Sequence, residues 1–163
     1  MKEKIINSIK ELIPYIVIII IVILIRTYII TPVRVDGSSM SPTLSDMEIL
    51  IEKKFDNSYK RFEIVIFRHN KNKLVKRVIG LPGETLEVKD NKLYINGEYV
   101  EETFDHKVTE DYKYKEGKIP EGTYFVMGDN RVNSLDSRII GPIFKEDIEG
   151  TVDLSIFPPK IIK

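Results

Sequence analysis

From Leu12 to Ile25 every residue is apolar except Pro14 and Tyr15, and Tyr28-Ile29-Ile30 carries the run past Arg26 and Thr27. About 19 residues rising about 1.5 Å each give a helix of about 28 Å, enough to cross a hydrocarbon core. The isoleucine and valine content is strand-like, but in lipid a lone segment satisfies its backbone only as a helix. A buried core helix is rarely apolar on all faces. A cleaved secretory leader needs a small-x-small site, whereas Thr27-Tyr28-Ile29-Ile30-Thr31-Pro32 is bulky and ends in proline. The run therefore reads as a retained transmembrane anchor over residues 12–30. Pro14 is expected near the first helical turn, where a missing N–H costs least. Tyr15 and Tyr28 read as interfacial anchors, and Arg26 lies within snorkelling reach of the surface. Lys2, Lys4 and Lys10 precede the run while Arg26 and Arg34 follow it, a bias toward a cytoplasmic N-terminus. The chain divides accordingly into a short cytoplasmic N-terminus (1–11), the anchor (12–30) and an extracytoplasmic body (31–163).

That body, about 130 residues, is the size of one domain able to bury its own core. It reads as strands and turns. Val33 and Val35 alternate with Arg34 and Asp36, a short half-buried strand leading into Gly37. Residues 48–51, 64–67, 74–79, 86–88, 93–95, 124–127 and 151–156 are further strand candidates. Asp90-Asn91 and Asn96-Gly97 read as hairpin turns, and Leu81-Pro82-Gly83-Glu84 as a turn by composition. Residues 101–121 are charged and glycine-bearing, and are expected to form an exposed, mobile excursion. Helical spacing outside the anchor is confined to the short stretch 144–148. The fold class is mainly β.

Lys and Arg total 25, Asp and Glu 25, so the charge balance gives no reason to expect nucleic acid as a partner. Cysteine is absent, which rules out a disulfide framework and a thiolate metal site. Nothing in the sequence sets an oligomeric state.

Three clusters bear on chemistry. The first is Ser39-Met40-Ser41-Pro42-Thr43-Leu44, a few residues past the apolar run. A serine after glycine is ordinarily structural, but Gly37 allows a tight backbone path and the local N–H groups can face an oxyanion. A serine hydroxyl needs a base to become a nucleophile. The two histidines, His69 and His106, sit among charged and amide residues that read as solvated loops. The second cluster, Val75-Lys76-Arg77-Val78-Ile79, offers another base. A lysine serves only if neutral, and burial among apolar side chains lowers its pKa toward that state. Strand alternation puts Lys76 with Leu74 and Val78, and Arg77 with Val75 and Ile79, so periodicity does not choose between them. Chemistry chooses Lys76, because a guanidinium stays protonated. A lysine snorkelling at a strand edge has the same spacing. The third cluster runs from Gly128 to Arg138. It reads either as a solvated loop or as a brace in which Ser134 bonds the lysine while Asp136 and Arg138 pair.

Together the clusters resemble those of bacterial type I signal peptidase. Ser39 to Leu44 is similar to that family's nucleophile box, and Lys76-Arg77-Val78-Ile79-Gly80-Leu81-Pro82-Gly83 to its lysine box. Gly128-Asp129-Asn130-Arg131 with Asn133-Ser134 and Asp136-Ser137-Arg138 is similar to its C-terminal box, and Arg61 through Phe67 to a fourth. The resemblance runs from Val33 to about Gly150 in the family's order. It implies a signal-peptidase-like β-sheet catalytic domain with a β-hairpin excursion, preceded by one transmembrane helix. It further implies a serine endopeptidase in the cell membrane that removes signal peptides from exported preproteins through a Ser–Lys dyad and an acyl-enzyme. Preprotein signal peptides and the lipid bilayer would be its partners, with no cofactor or metal. By the same resemblance Ser39 is the nucleophile, its N–H an oxyanion donor, and Lys76 the general base. Ser134 positions the lysine, Asp136 and Arg138 hold the loop, and Arg77 pairs with Asp129. Val33, Val35, Met40, Leu44 and Ile66 line shallow pockets for small side chains before the scissile bond. Gly37 departs from members with a serine there, which removes a side-chain oxyanion donor. Phe62-Glu63 replaces the commoner Gly-Asp pair and puts that turn's geometry in question. One membrane segment and a short span between the boxes resemble the compact Gram-positive members.

Overall fold

The computed structural model describes residues 2–54 and 58–162, with side chains from Lys10 onward. Helix α1 (Lys2–Tyr28) contains a 19-residue stretch, Lys10–Tyr28, of mean hydropathy 2.2, none of it packed inside the protein. The helix begins well before the apolar run, because Lys2 to Glu11 is rich in good helix formers. Pro14 therefore lies inside the helix rather than in its first turn, and removes the bond to the carbonyl four residues earlier. The helix also stops at Tyr28, so Ile30, expected to close the anchor, opens the first strand.

The strands follow as β1 (Ile30–Arg34), β2 (Ile49–Lys53), β3 (Ile64–His69), β4 (Asn72–Gly80), β5 (Thr85–Lys89), β6 (Lys92–Ile95), β7 (Glu98–Val100), β8 (Tyr112–Lys118) and β9 (Thr123–Met127). Helix α2 (Ser137–Ile140), β10 (Ile143–Phe144), β11 (Ile148–Phe157) and β12 (Pro159–Ile161) complete the chain. An eight-stranded sheet is ordered β1-β2-β11-β3-β4-β9-β10, with β12 on β11; a four-stranded sheet is ordered β7-β6-β5-β8. All the pairings are antiparallel, and the fold is mainly β as expected.

The predicted strands form because their alternation fits the core they enclose. Val65, Phe67, Val78, Tyr124 and Val126 pack on one side of the large sheet; Leu50, Ile64, Ile66 and Val152 pack with Val35, Met40 and Leu44 on the other. The small sheet closes over Ile79, Phe125 and Met127 through Leu86, Val88, Leu93, Ile95 and Ile119. Gly80 permits that approach: a Cβ there would lie 2.3 Å from Ile119 Cδ1. Asp90-Asn91 and Asn96-Gly97 both hold positive φ, the pairing that two-residue hairpins need.

Residues 112–118 differ from the expected excursion, whereas 101–111 carry no helix or strand. Tyr112 and Tyr114 alternate with Lys113 and Lys115 along β8, which pairs with β5, and both tyrosines pack against Phe125. The period-2 pattern was hidden by its charge. The strand after Ile30 ends at Arg34, one residue short of Val35, but Val35 keeps strand-like bonds to Glu48 O (2.8 Å) and from Met47 N (3.1 Å). The expected helical turn near 144–148 is a short 3-10 turn, Lys145–Asp147.

Candidate active site

Ser39 sits in the turn between β1 and β2, and that turn is held from outside. The Asp46 carboxylate accepts the Gly37 N–H (2.9 Å), with Gly37 at φ 91°. The Asn130 N–H donates to the Ser39 carbonyl (3.0 Å), and Asn130 Nδ2 to the Ser38 carbonyl (3.1 Å). Gly128 makes room for this: a Cβ on it would lie 2.4 Å from the Ser39 carbonyl oxygen and 2.3 Å from Ser134 Oγ. The Ser39 N–H makes no hydrogen bond among the described residues.

Lys76 comes from β4. Register sets it opposite Val65 and Arg77 opposite Ile64, so the two cations leave the strand on opposite faces. Lys76 is 2% exposed. Its Nζ lies 2.7 Å from Ser39 Oγ and donates to the Val75 carbonyl at 2.9 Å. Burial lowers its pKa from 10.5 to about 8, against the opposing pull of Asp136 and Asp129. An amine so placed can lose its proton near neutral pH. Its lone pair can then take the proton of the Ser39 hydroxyl while the Val75 carbonyl holds an N–H in line. The Val75 side chain packs on the Met40–Leu44 cluster. Nothing in the spacing of an unremarkable valine marked it out.

The supporting residues divide. Arg77 forks onto Asp129 (Nε–Oδ1 2.9 Å, Nη2–Oδ2 2.7 Å), donates to the Phe62 carbonyl (2.8 Å), and stacks 3.9 Å over Phe104. Arg138 forks onto Asp136 (2.9 and 2.8 Å), which also accepts the Gly128 N–H (3.0 Å) and caps α2 through the Arg138 N–H (3.2 Å). Burial pushes the Asp136 carboxyl up, but these bonds outweigh it and hold it below the usual range. Ser134, expected to bond the lysine, makes no hydrogen bond to Lys76 Nζ. Its Oγ is buried without a well-formed hydrogen bond, near the Asp136 carboxylate, and Lys76 Nζ bonds the Val75 carbonyl instead. Small changes in χ1 decide such a hydroxyl's partner, and sequence spacing carries no record of them.

Val33, Val35, Met40, Leu44 and Ile66 all fall in one apolar cluster that begins at the residue after Ser39 and is joined by Val75. Val33 is half-buried; the other four are under 5% exposed. They form an apolar floor with Leu50, Ile64 and Val152. Phe62 takes φ 74°, the left-handed region that favours glycine, at the position where the commoner pattern has glycine. Its ring packs against Phe104 (5.3 Å), which offsets part of that strain. His106 is half-buried rather than solvated, leaning on Glu102 (3.4 Å) and the Lys107 carbonyl (2.8 Å), and His69 is half-buried at the end of β3. Among the described residues no group of three or more His, Cys, Asp or Glu side chains is placed to hold a metal.

Residues 8–157 match the family model described as "Signal peptidase, peptidase S26". Signal peptidase I V of Bacillus subtilis is 40% identical over 151 residues, covering 82% of this chain and 90% of that one. Signal peptidase I of Bacillus amyloliquefaciens is 39% identical over 158 residues, 88% of this chain and 84% of that protein. A crystal structure of a signal peptidase I from Enterococcus faecalis aligns at TM-score 0.52 and 36% identity, covering 58% of this chain and 97% of that one. The chain therefore belongs to the peptidase S26 signal peptidase family, among its Gram-positive-like type I members, and is a serine-type peptidase, a hydrolase.

Proposed function

We propose that this chain is a membrane-held endopeptidase that removes N-terminal signal peptides from exported preproteins through a Ser39–Lys76 dyad. The observation that carries the reading is the 2.7 Å approach of Ser39 Oγ to a buried Lys76 Nζ whose pKa lies at about 8. In the first step neutral Lys76 accepts the Ser39 proton as Oγ adds to the scissile carbonyl carbon. The oxygen of the tetrahedral intermediate faces the Ser39 N–H. Gly37 supplies no side-chain donor, so the backbone carries that role. Collapse breaks the C–N bond, and the Lys76 ammonium gives its proton to the departing amine. Lys76, neutral again, deprotonates a water that adds to the acyl ester, and the proton returns to Ser39 Oγ as the new carboxylate leaves. The buried, apolar floor of Val35, Met40, Leu44 and Ile66 offers no polar group to a bound peptide, which favours small apolar side chains before the scissile bond.

A bilayer contact is supported from two directions. The Lys54 N–H bonds the Ile29 carbonyl (3.1 Å) and Thr31 Oγ1 the Arg26 carbonyl (3.0 Å), so the sheet is tied to the end of α1. The sheet face next to it is apolar and uncovered: register aligns Pro32, Ile51, Leu154 and Ile161 across four strands, with Ile49 beside Phe157. Leu154, Phe157 and Ile161 are 39%, 68% and 76% exposed. The charge bias of the flanks favours N-terminus in and body out. From Ile30 to Ser39 the chain reaches at most about 30 Å, which keeps the dyad near the surface where a signal peptide emerges.

Ser39→Ala and Lys76→Ala are each expected to abolish preprotein processing, measured on folded, membrane-inserted protein. Near-normal cleavage by Lys76→Ala would defeat the dyad.

A further inference from the structure

The segment after Pro158 lies outside every box described above, yet it is fastened to the turn that carries Ser39. Strand β12 pairs with β11 through Leu154–Ile161 and Ile156–Pro159. Alternation turns Pro159 and Ile161 to the open face and Lys160 and Ile162 inward. Ile162, 7% exposed, joins the cluster of Val35, Met40 and Leu44. Lys160 Nζ donates to the Thr43 carbonyl (2.8 Å) and to Glu48 Oε2 (3.0 Å). The same Oε2 accepts the Ser45 N–H (2.9 Å), while Glu48 Oε1 is buried with no hydrogen bond.

The turn is thus held at both ends. Asn130 grips the Ser38 and Ser39 carbonyls; Lys160 and Glu48 grip Thr43 and Ser45. The Leu44 N–H to Met40 carbonyl bond (2.9 Å) links the two ends in a single rigid turn. We infer that Lys160 of β12, acting with Glu48, is a positioning residue that sets the Ser39 turn against Lys76. Glu48 is 1% exposed, and its Oε2 is the acceptor that Lys160 Nζ and the Ser45 N–H share. An ammonium has three donors and can serve a carbonyl and a carboxylate at once, which an apolar side chain of the same reach cannot. The inference rests on Ser39 being the nucleophile.

The test is steady-state cleavage of a signal-peptide substrate by the full chain in detergent, with thermal unfolding followed in parallel. Lys160→Met keeps the apolar stem and loses the donor. It is expected to lower kcat about tenfold or more with KM little changed, since a small misplacement of a nucleophile falls mainly on the chemical step. The base limb of the pH profile should stay near pH 8, because the surroundings of Lys76 are untouched. Lys160→Arg should recover most of the rate by supplying both bonds. Wild-type kcat per folded molecule in Lys160→Met would overturn the inference. If Lys160→Met fails to fold, Glu48→Gln removes the charge that draws Lys160 but keeps an acceptor for Ser45. A lowered kcat with an unmoved limb then supports the clamp, and an unchanged kcat overturns it. Ser39→Ala separates the two readings. Retained cleavage there defeats the dyad, whereas an inactive Ser39→Ala beside an unimpaired Lys160→Met defeats only the clamp.

Discussion

At the scale of single residues, Lys76 carries a conflict between stability and chemistry. A pKa of about 8 folded against 10.5 unfolded means the folded state binds its proton less tightly. Below pH 8 that difference opposes folding by about 3 kcal/mol; it shrinks as pH rises and is gone above 10.5. Lys76→Met, similar in reach and uncharged, is therefore expected to raise the unfolding temperature at pH 6 and to lose that advantage by pH 10.5. Thermal unfolding of both proteins across that range checks it, and an advantage that grew with pH would contradict the burial argument. With Lys76 as the proposed base, the same pKa sets the activity profile. Cleavage should rise about tenfold per pH unit up to a limb near pH 8 and level off above it. The choice of Lys76 over Arg77 was legible only from chemistry, since alternation treats them alike. In the fold Arg77 is consumed by Asp129, Phe62 and Phe104 on one face, while Lys76 is left on the other with Ser39.

At the scale of elements, β2 holds the least comfortable group in the sheet. Glu52 is 0% exposed, both carboxylate oxygens lack a hydrogen bond, and Lys73 stands 3.8 Å away. Burial raises its pKa, helped by Glu149, against the pull of Lys73 and Lys54. A raised carboxyl pKa favours the folded state at low pH and opposes it as pH climbs past the unfolded value of 4.5. Glu52→Met should accordingly stabilise the protein at pH 7 by about 1 kcal/mol or more, with the gain shrinking toward pH 4. Denaturant unfolding at the two pH values measures it. Legibility at this scale tracks alternation. Strands such as Ile64–His69 and Thr123–Met127 are apolar runs bounded by turns, and their positions were readable. Tyr112–Lys118 alternates but is too charged to stand out; β12 begins at a proline; and α2, Ser137–Ile140, is too short for any helical period. Its start depends on Asp136 as a cap, a role visible only once Arg138 has folded back onto the same carboxylate.

For the whole molecule, the apolar run was legible as a helix of membrane-spanning length, but not that the sheet beside it presents a second apolar surface. That surface is built from residues far apart in sequence, Pro32, Ile51, Leu154 and Ile161, which only strand register brings into line. On the bilayer contact proposed above, replacing Leu154 and Phe157 by serine would remove on the order of 3 kcal/mol of interfacial burial without touching the Ser39 turn or Lys76. For a domain already tethered by α1, that is enough to move it from mostly docked to mostly free. In lipid nanodiscs the wild-type β11–β12 amides should be protected from hydrogen exchange, and the double variant should lose that protection. Cleavage of a membrane-embedded preprotein should fall in the same nanodiscs, while a short peptide in detergent is cut at the wild-type rate. The comparison matters because the two substrates place different demands on the enzyme. A peptide in detergent needs only the dyad, whereas a signal peptide in a bilayer must be met at the depth where it lies. If exchange and preprotein cleavage are both unchanged, the open sheet face looks onto water, and α1 alone sets the height of Ser39 above the membrane.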